Sequence, residues 1–186
     1  MQPDMAEARF QELYCTYQRQ VVSYFLRRTD TASARDAAAE TFLVVWRRID
    51  DVPQGAELPW LYGIARRVLA NFRRSQRRYD ALGRKVSRTE VTESLTPETV
   101  IIRRSEDEEM ISAIGRLRPE DQEVLLLAVW EELPHSEIAV ALKTSPNAVA
   151  QRMRRIKKQL THELNHPLRR NATPAASHKP EEGGRT

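Results

Sequence analysis

The sequence predicts an all-α protein made of two small helical domains joined by a flexible linker. Three observations carry that prediction. Alanine, leucine, arginine and glutamate dominate a chain of 186 residues that holds only 6 glycines, a composition that favours helix over sheet. Apolar residues recur at three- and four-residue spacing in two separate stretches. Between those stretches the periodicity fades while threonine and serine accumulate. The chain divides accordingly into a helical block over 8–79, a linker over 80–104, a second block over 105–165 and a disordered tail over 166–186, rich in proline, glycine, alanine and threonine.

The first helix is predicted from "RFQELYCTYQRQVVSYFLRR", where Phe10, Leu13, Tyr17, Val21, Tyr24 and Phe25 form a stripe that another helix must cover. Cys15 reads as a small core residue near that stripe. The second helix, "SARDAAAETFLVVWRRI", takes Ser33 as its N-cap and Phe42, Val45, Trp46 and Ile49 as its apolar face. Pro53, Gly55 and Pro59 then break the helix. From Trp60, "WLYGIARRVLANFRRSQRR" resumes with Leu61, Ile64, Ala65, Val68, Leu69 and Phe72 on one side and arginines on the others. In the second block Pro119 suits a first helical position, and Glu120 and Asp121 favour the positive end of that helix's dipole.

The stretch "LPHSEIAVALKTSPNAVAQRMRRIKKQL" carries two short amphipathic patterns around a Thr-Ser-Pro turn. Pro134 opens the first, whose inner residues are Ile138, Ala141 and Leu142. Ser145 caps the second and Pro146 takes its first position. At about 100° per residue, Val149, Met153, Ile156 and Leu160 face inward. Asn147, Gln151, Arg154, Arg155 and Lys158 then face outward, flanked by Ala150 and Arg152. Two helices joined by a tight turn, the second basic and amide-bearing, form the pattern of a helix-turn-helix. Arginine can donate twice to guanine, and glutamine or asparagine can pair with adenine. Arg152, Lys157 and Lys158 are better placed for phosphates. A solvated basic face on an ordinary helical hairpin is the competing explanation. The motif also requires Lys143, where glycine is common, to tolerate a positive φ.

Charge distribution agrees with a polyanionic partner. The net charge is only +4, but bases from Arg66 to Arg88 face a single acid, Asp80, and no acid stands between Lys143 and Lys158. Trp60 and Tyr62 beside interleaved arginines could stack on unpaired bases, although aromatics at a helix start are commonly core or rim residues.

Other function classes are excluded by what the sequence lacks. No run of about 18 apolar residues exists to span a membrane, and "MQPDMAEARF" has no apolar region of a secretion signal. With Cys15 the only cysteine, no intramolecular disulfide can form, which suits a cytoplasmic location. There is no phosphate-cradling glycine motif. His162 and His166 share a spacing seen in zinc sites but stand without partner ligands, and Glu106 to Glu109 are explained by a helix start. The expectation is a protein with no catalytic residue, no metal, no cofactor and no small-molecule substrate.

Taken in order, "RDAAAETFLVVWRRID", "PWLYGIARRVLANFRRSQRR", a linker and "LRPEDQEVLLLAVWEELPHSEIAVAL" resemble the extracytoplasmic-function sigma factors of bacterial RNA polymerase, which carry a region 2 helical bundle and a region 4 helix-turn-helix. The resemblance spans nearly all of Phe10 to Leu164. It implies core RNA polymerase and promoter DNA as partners, with contacts to the β′ clamp helices and the β flap. Asp36, Ala39, Glu40, Phe42 and Trp46 would meet the clamp; Ala39 stands where the family often has glutamine. Trp60, Tyr62, Arg66, Arg67, Asn71, Arg73, Arg74 and Arg77 would hold the unpaired −10 strand, with Arg67 where an asparagine often lines the base pocket. Asn147, Ala150, Gln151, Arg152, Arg154, Arg155 and Lys158 would read the −35 element; Asn147-Ala148 replaces a common glycine-threonine pair. The linker acids Glu90, Glu93 and Glu98 would lie toward the RNA exit path, and an anti-sigma factor is the family's common regulator. The competing function is a dimeric helix-turn-helix regulator that binds duplex operator DNA without polymerase.

Overall fold

The computed structural model describes residues 3–83 and 105–165, with side chains over 4–79 and 109–165. Glu90, Glu93 and Glu98, most of the expected linker, His166 and the expected tail lie outside the described residues. Among the described residues every regular element is a helix: α1 (Pro3–Leu26), α2 (Thr31–Arg47), a 3-10 turn (Ile49–Asp51), α3 (Glu57–Gly83), α4 (Ser105–Gly115), α5 (Pro119–Val129), α6 (His135–Leu142) and α7 (Pro146–Asn165).

α1, α2 and α3 pack on one another as an N-terminal three-helix bundle. The stripe on α1 buries Leu13, Val21, Tyr24 and Phe25 completely or nearly so, while Phe10 and Tyr17 cover its edge. Ala34, Ala37 and Ala38 line the inner side of α2. Their small side chains let α2 approach its neighbours closely, and Thr41 buries its hydroxyl by donating to the Ala37 carbonyl at 2.8 Å. Leu61, Ile64, Ala65, Val68 and Leu69 close the core from α3. Each large side chain removed from water in this way contributes about 1.5–3 kcal/mol. Arg9 donates to the Val52 carbonyl at 2.6 Å and ties the start of α1 to the turn before α3.

Several expected details differ. Asp30, not Ser33, caps α2: its extended backbone (φ −66°, ψ 163°) puts its carboxylate within 3.1 Å of the Ala32 N–H and 3.0 Å of the Ser33 N–H. Ser33 already lies in the first helical turn. α3 starts at Glu57 rather than Trp60, because a proline in a first turn gives up no intrahelical bond and Pro59 is accommodated there. Pro134 precedes α6 as its cap residue and does not open it. α1 starts before, and α3 continues past, the limits read from the sequence. Cys15 is exposed. It stands two residues from Leu13, about 200° around the helix and so on the outer face. Trp46 is likewise exposed, whereas Phe42, Val45 and Ile49 are buried.

The C-terminal half packs α4, α5 and α6 around α7. Gln122 donates to the carbonyls of Gly115 (3.1 Å) and Leu117 (3.0 Å), closing the end of α4, and Arg116 pairs with Glu163 at 2.6 Å to fasten that end to α7. α6 and α7 are joined as the sequence predicts. Lys143 adopts the left-handed conformation (φ 53°, ψ 51°), Thr144 N–H donates to Ala139 (2.9 Å) and Lys143 N–H to Val140 (3.2 Å). Those two bonds are the Schellman pair that satisfies the last carbonyls of α6. Ser145 Oγ accepts from the Ala148 N–H at 3.2 Å, and Pro146 begins α7.

The two halves are not separate beads. α3 lies along α6, and one buried apolar cluster runs from Leu13 to Ile156 through both.

Candidate nucleic-acid interface

α7 presents the outward face expected of a reading helix. Val149, Met153 and Ile156 are buried, and the rotation of the helix leaves Asn147, Gln151, Arg154, Arg155 and Lys158 exposed, with Ala150 and Arg152 half-buried beside them. Three cations and two carboxamides thus share one convex surface, with no acid between Pro146 and Leu160 to neutralise them.

α3 carries the second basic surface, and its residues do not share one environment. Arg67, Asn71, Arg73, Arg74 and Arg77 are exposed and Arg66 is half-buried. Asn71 Oδ1 accepts from Arg74 at 3.4 Å, and Arg73 donates to the Arg28 carbonyl at 3.4 Å, reaching back over the end of α1. Trp60 is half-buried, with the Arg48 guanidinium 5.6 Å from its ring. Tyr62 is only 3% exposed and stacks on Tyr24 at 5.4 Å between ring centroids. Burial, followed by the charge and hydrogen bonding of Glu131, raises its hydroxyl pKa well above the ordinary value.

Tyr62 is covered by a polar contact between the two halves that the sequence did not signal. Tyr24 donates to Glu123 at 2.8 Å, and burial together with that carboxylate raises its pKa. Arg28 lies 3.7 Å from the Tyr24 ring centroid and donates to Glu131 at 2.9 Å; Arg27 pairs with the other Glu131 oxygen. The Arg28 and Glu131 side chains are each 1% exposed. Gly63, on the same side of α3, meets the Ala141 carbonyl of α6 so closely that a Cβ there would sit 2.8 Å from the oxygen.

The outward face of α2 forms a third surface. Asp36, Ala39 and Glu40 are exposed, Phe42 is buried, and Trp46 is exposed at the edge of an aromatic cluster. Phe10 meets Trp46 edge-on at 5.3 Å, and Tyr14 meets Phe42 at 4.8 Å. Tyr14 and Leu43 extend this apolar surface and were missed from sequence, although Leu43, one position before the half-buried Val44, is a large apolar residue off the core stripe. Among the described residues no group of acidic, histidine or cysteine side chains is arranged to hold a metal ion, and no helix is long and apolar enough to cross a membrane.

Comparison with known proteins matches these parts separately. Residues 13–79 match the Sigma-70 region 2 family and residues 107–160 match Sigma-70, region 4. The chain is 30% identical over 130 residues to the RNA polymerase sigma factor NccH of Alcaligenes xylosoxydans xylosoxydans, covering 68% of this chain and 70% of that protein. It is 31% identical over 145 residues to the ECF RNA polymerase sigma factor BldN of Streptomyces coelicolor, covering 75% of this chain and 54% of that one. Its fold is shared by the sigma factor RpoE of Bartonella quintana, solved in complex with the anti-sigma factor NepR, with a TM-score of 0.58, 14% identity, and coverage of 84% of this chain and 97% of RpoE. With a helix-turn-helix whose basic face is exposed, a second basic helix and both sigma regions in order, the chain belongs to the extracytoplasmic-function sigma factors, non-enzymatic proteins that direct RNA polymerase to promoters.

Proposed function

We propose a division of labour among the three surfaces. α7 reads the −35 element through Gln151, Arg154 and Arg155, with Asn147 and Ala150 at the edges of the base contacts and Arg152 and Lys158 on phosphates. The arginines of α3, with Trp60, Tyr62 and Asn71, hold the unpaired −10 strand, so that promoter opening is driven by binding energy. Asp36, Ala39, Glu40 and Trp46, with Leu43 and Tyr14, dock on the β′ clamp helices of core polymerase, and the C-terminal half meets the β flap. The chain acts in the cytoplasm, and an anti-sigma factor is a further partner. The observation that carries the reading is the clean split of α7 into a buried apolar side and an exposed basic, amide-bearing side.

Gel filtration with core polymerase and a promoter-binding assay test it together. The chain should elute as a monomer alone and with core in equal stoichiometry. Arg154→Ala with Arg155→Ala should weaken −35 recognition by about 2–6 kcal/mol if both make bidentate base contacts, and should leave co-elution unchanged. Equal loss of both functions would contradict the division. A dimer that ignores polymerase would point instead to a stand-alone operator-binding regulator.

A further inference from the structure

Arg48 stands where α2 gives way to the 3-10 turn. Its backbone N–H donates to the Val45 carbonyl at 3.0 Å and caps the helix, so the side chain is not needed there. That side chain is held instead by Asp51, three residues on, whose Oδ2 accepts from Nε at 2.8 Å and lies 2.7 Å from Nη2. Both side chains are partly exposed, and an ion pair of this kind adds little to stability. What the pair does fix is the place of the guanidinium, which lies over the Trp60 ring with Cζ 5.6 Å from the centroid.

Trp60 has little freedom left once that cation is in place. Its backbone is set by the first turn of α3, where its N–H donates to the Ala56 carbonyl at 3.2 Å. The side chain packs against the apolar cluster on one side and meets Arg48 on the other. The contact steadies the ring without filling its face. Arg28, by comparison, lies 3.7 Å from the Tyr24 centroid, whereas 5.6 Å is beyond the roughly 3.5–4.0 Å of flat atomic contact. We propose that Arg48 is a positioning residue for promoter opening: pinned by Asp51, its guanidinium holds the Trp60 indole in the orientation in which it meets an unpaired base. The role rests on the assignment of Trp60 to the −10 strand. An aromatic ring fixed before the strand arrives loses no side-chain freedom on binding it, and the ion pair supplies that preorganisation.

The test uses the full chain assembled with core polymerase on a promoter it opens, with permanganate reactivity of unpaired thymines as the readout. Arg48→Met keeps the length of the side chain and removes the cation. It should lower opening by about two- to fivefold, the range that one partly exposed cation–ring contact corresponds to, with helical content and co-elution with core unchanged. In a Trp60→Ala background the same substitution should have no further effect, because nothing remains to be positioned. Asp51→Ala should also lower opening, although removing an acid beside DNA would by charge alone favour it. Arg48→Lys, which keeps the cation but not the planar fork, should recover part of the loss. Near-ultraviolet circular dichroism of the free chain should change in Arg48→Met as the indole loses its fixed setting. Full opening by Arg48→Met beside an impaired Trp60→Ala would overturn the positioning role. An equal loss from Arg48→Met in both backgrounds would overturn it too, by making Arg48 a direct contact to the strand. Unimpaired opening by Trp60→Ala itself would instead remove the −10 assignment on which the role rests.

Discussion

Lys143 holds a left-handed backbone at φ 53° in the middle of the helix-turn-helix. A side chain in that region costs about 1–2 kcal/mol relative to the right-handed form, a cost that glycine escapes. Glycine in turn loses more freedom on folding, so Lys143→Gly should stabilise the chain by about 0.5 kcal/mol, read as a raised urea midpoint with an unchanged slope. Asp30 supplies a second prediction. Hydrogen bonding from Ser33, by its side chain and then its backbone, lowers the Asp30 carboxyl pKa from its ordinary value. A carboxylate with a depressed folded pKa contributes stability above its unfolded pKa and loses it as pH falls through the folded one. Asp30→Ala should therefore cost about 1 kcal/mol near neutral pH, and the gap to wild type should narrow in acid, as denaturation at several pH values would show. The strain at Lys143 was legible because a Schellman turn demands it at one position. The cap was misassigned because Ser33 and Asp30 are both good caps, and only the end of α1 decides between them.

The element scale separates surfaces that periodicity can reveal from those it cannot. α7 was legible in full: its apolar positions repeat without interruption, and the remaining side of the cylinder must face outward. On α1 the stripe was legible but Cys15 was not, since a small apolar residue beside the stripe fits either side. Trp46 was expected inward by the same counting, yet it lies at the rim with Phe10 against it. On α3 the apolar side was correct, while Trp60 and Tyr62, two residues apart, take different environments. Trp60→Ala should leave the closed promoter complex formed and impair opening by at least tenfold, read as lost permanganate reactivity of unpaired thymines. The figure corresponds to about 1.4 kcal/mol, the lower part of what one stacked base contributes. Unchanged opening would make Trp60 a packing residue.

For the whole molecule, the sequence gives no hint that the halves close. Arg28 and Glu131 are far apart along the chain, and an arginine at a helix end or a glutamate after a helix is ordinarily a surface residue. Only the juxtaposition of α1, α3, α5 and α6 turns them into a buried pair, and Gly63 reads in sequence as a weak point in a helix rather than as a contact. Because one apolar cluster runs through both halves, the intact chain should unfold in a single calorimetric transition. Gly63→Ala should split that transition into two, with the first bundle melting no lower than before. A single transition at the original temperature would mean that the contact carries no coupling.

The glycine at the meeting of α3 and α6 also has a consequence for what position 63 can hold. A Cβ there would stand 2.8 Å from the Ala141 carbonyl oxygen, so even the smallest side chain requires one helix to shift against the other. A library of all replacements at this position should therefore be depleted uniformly, whatever the chemistry of the new side chain, because the backbone of α6 already occupies the space.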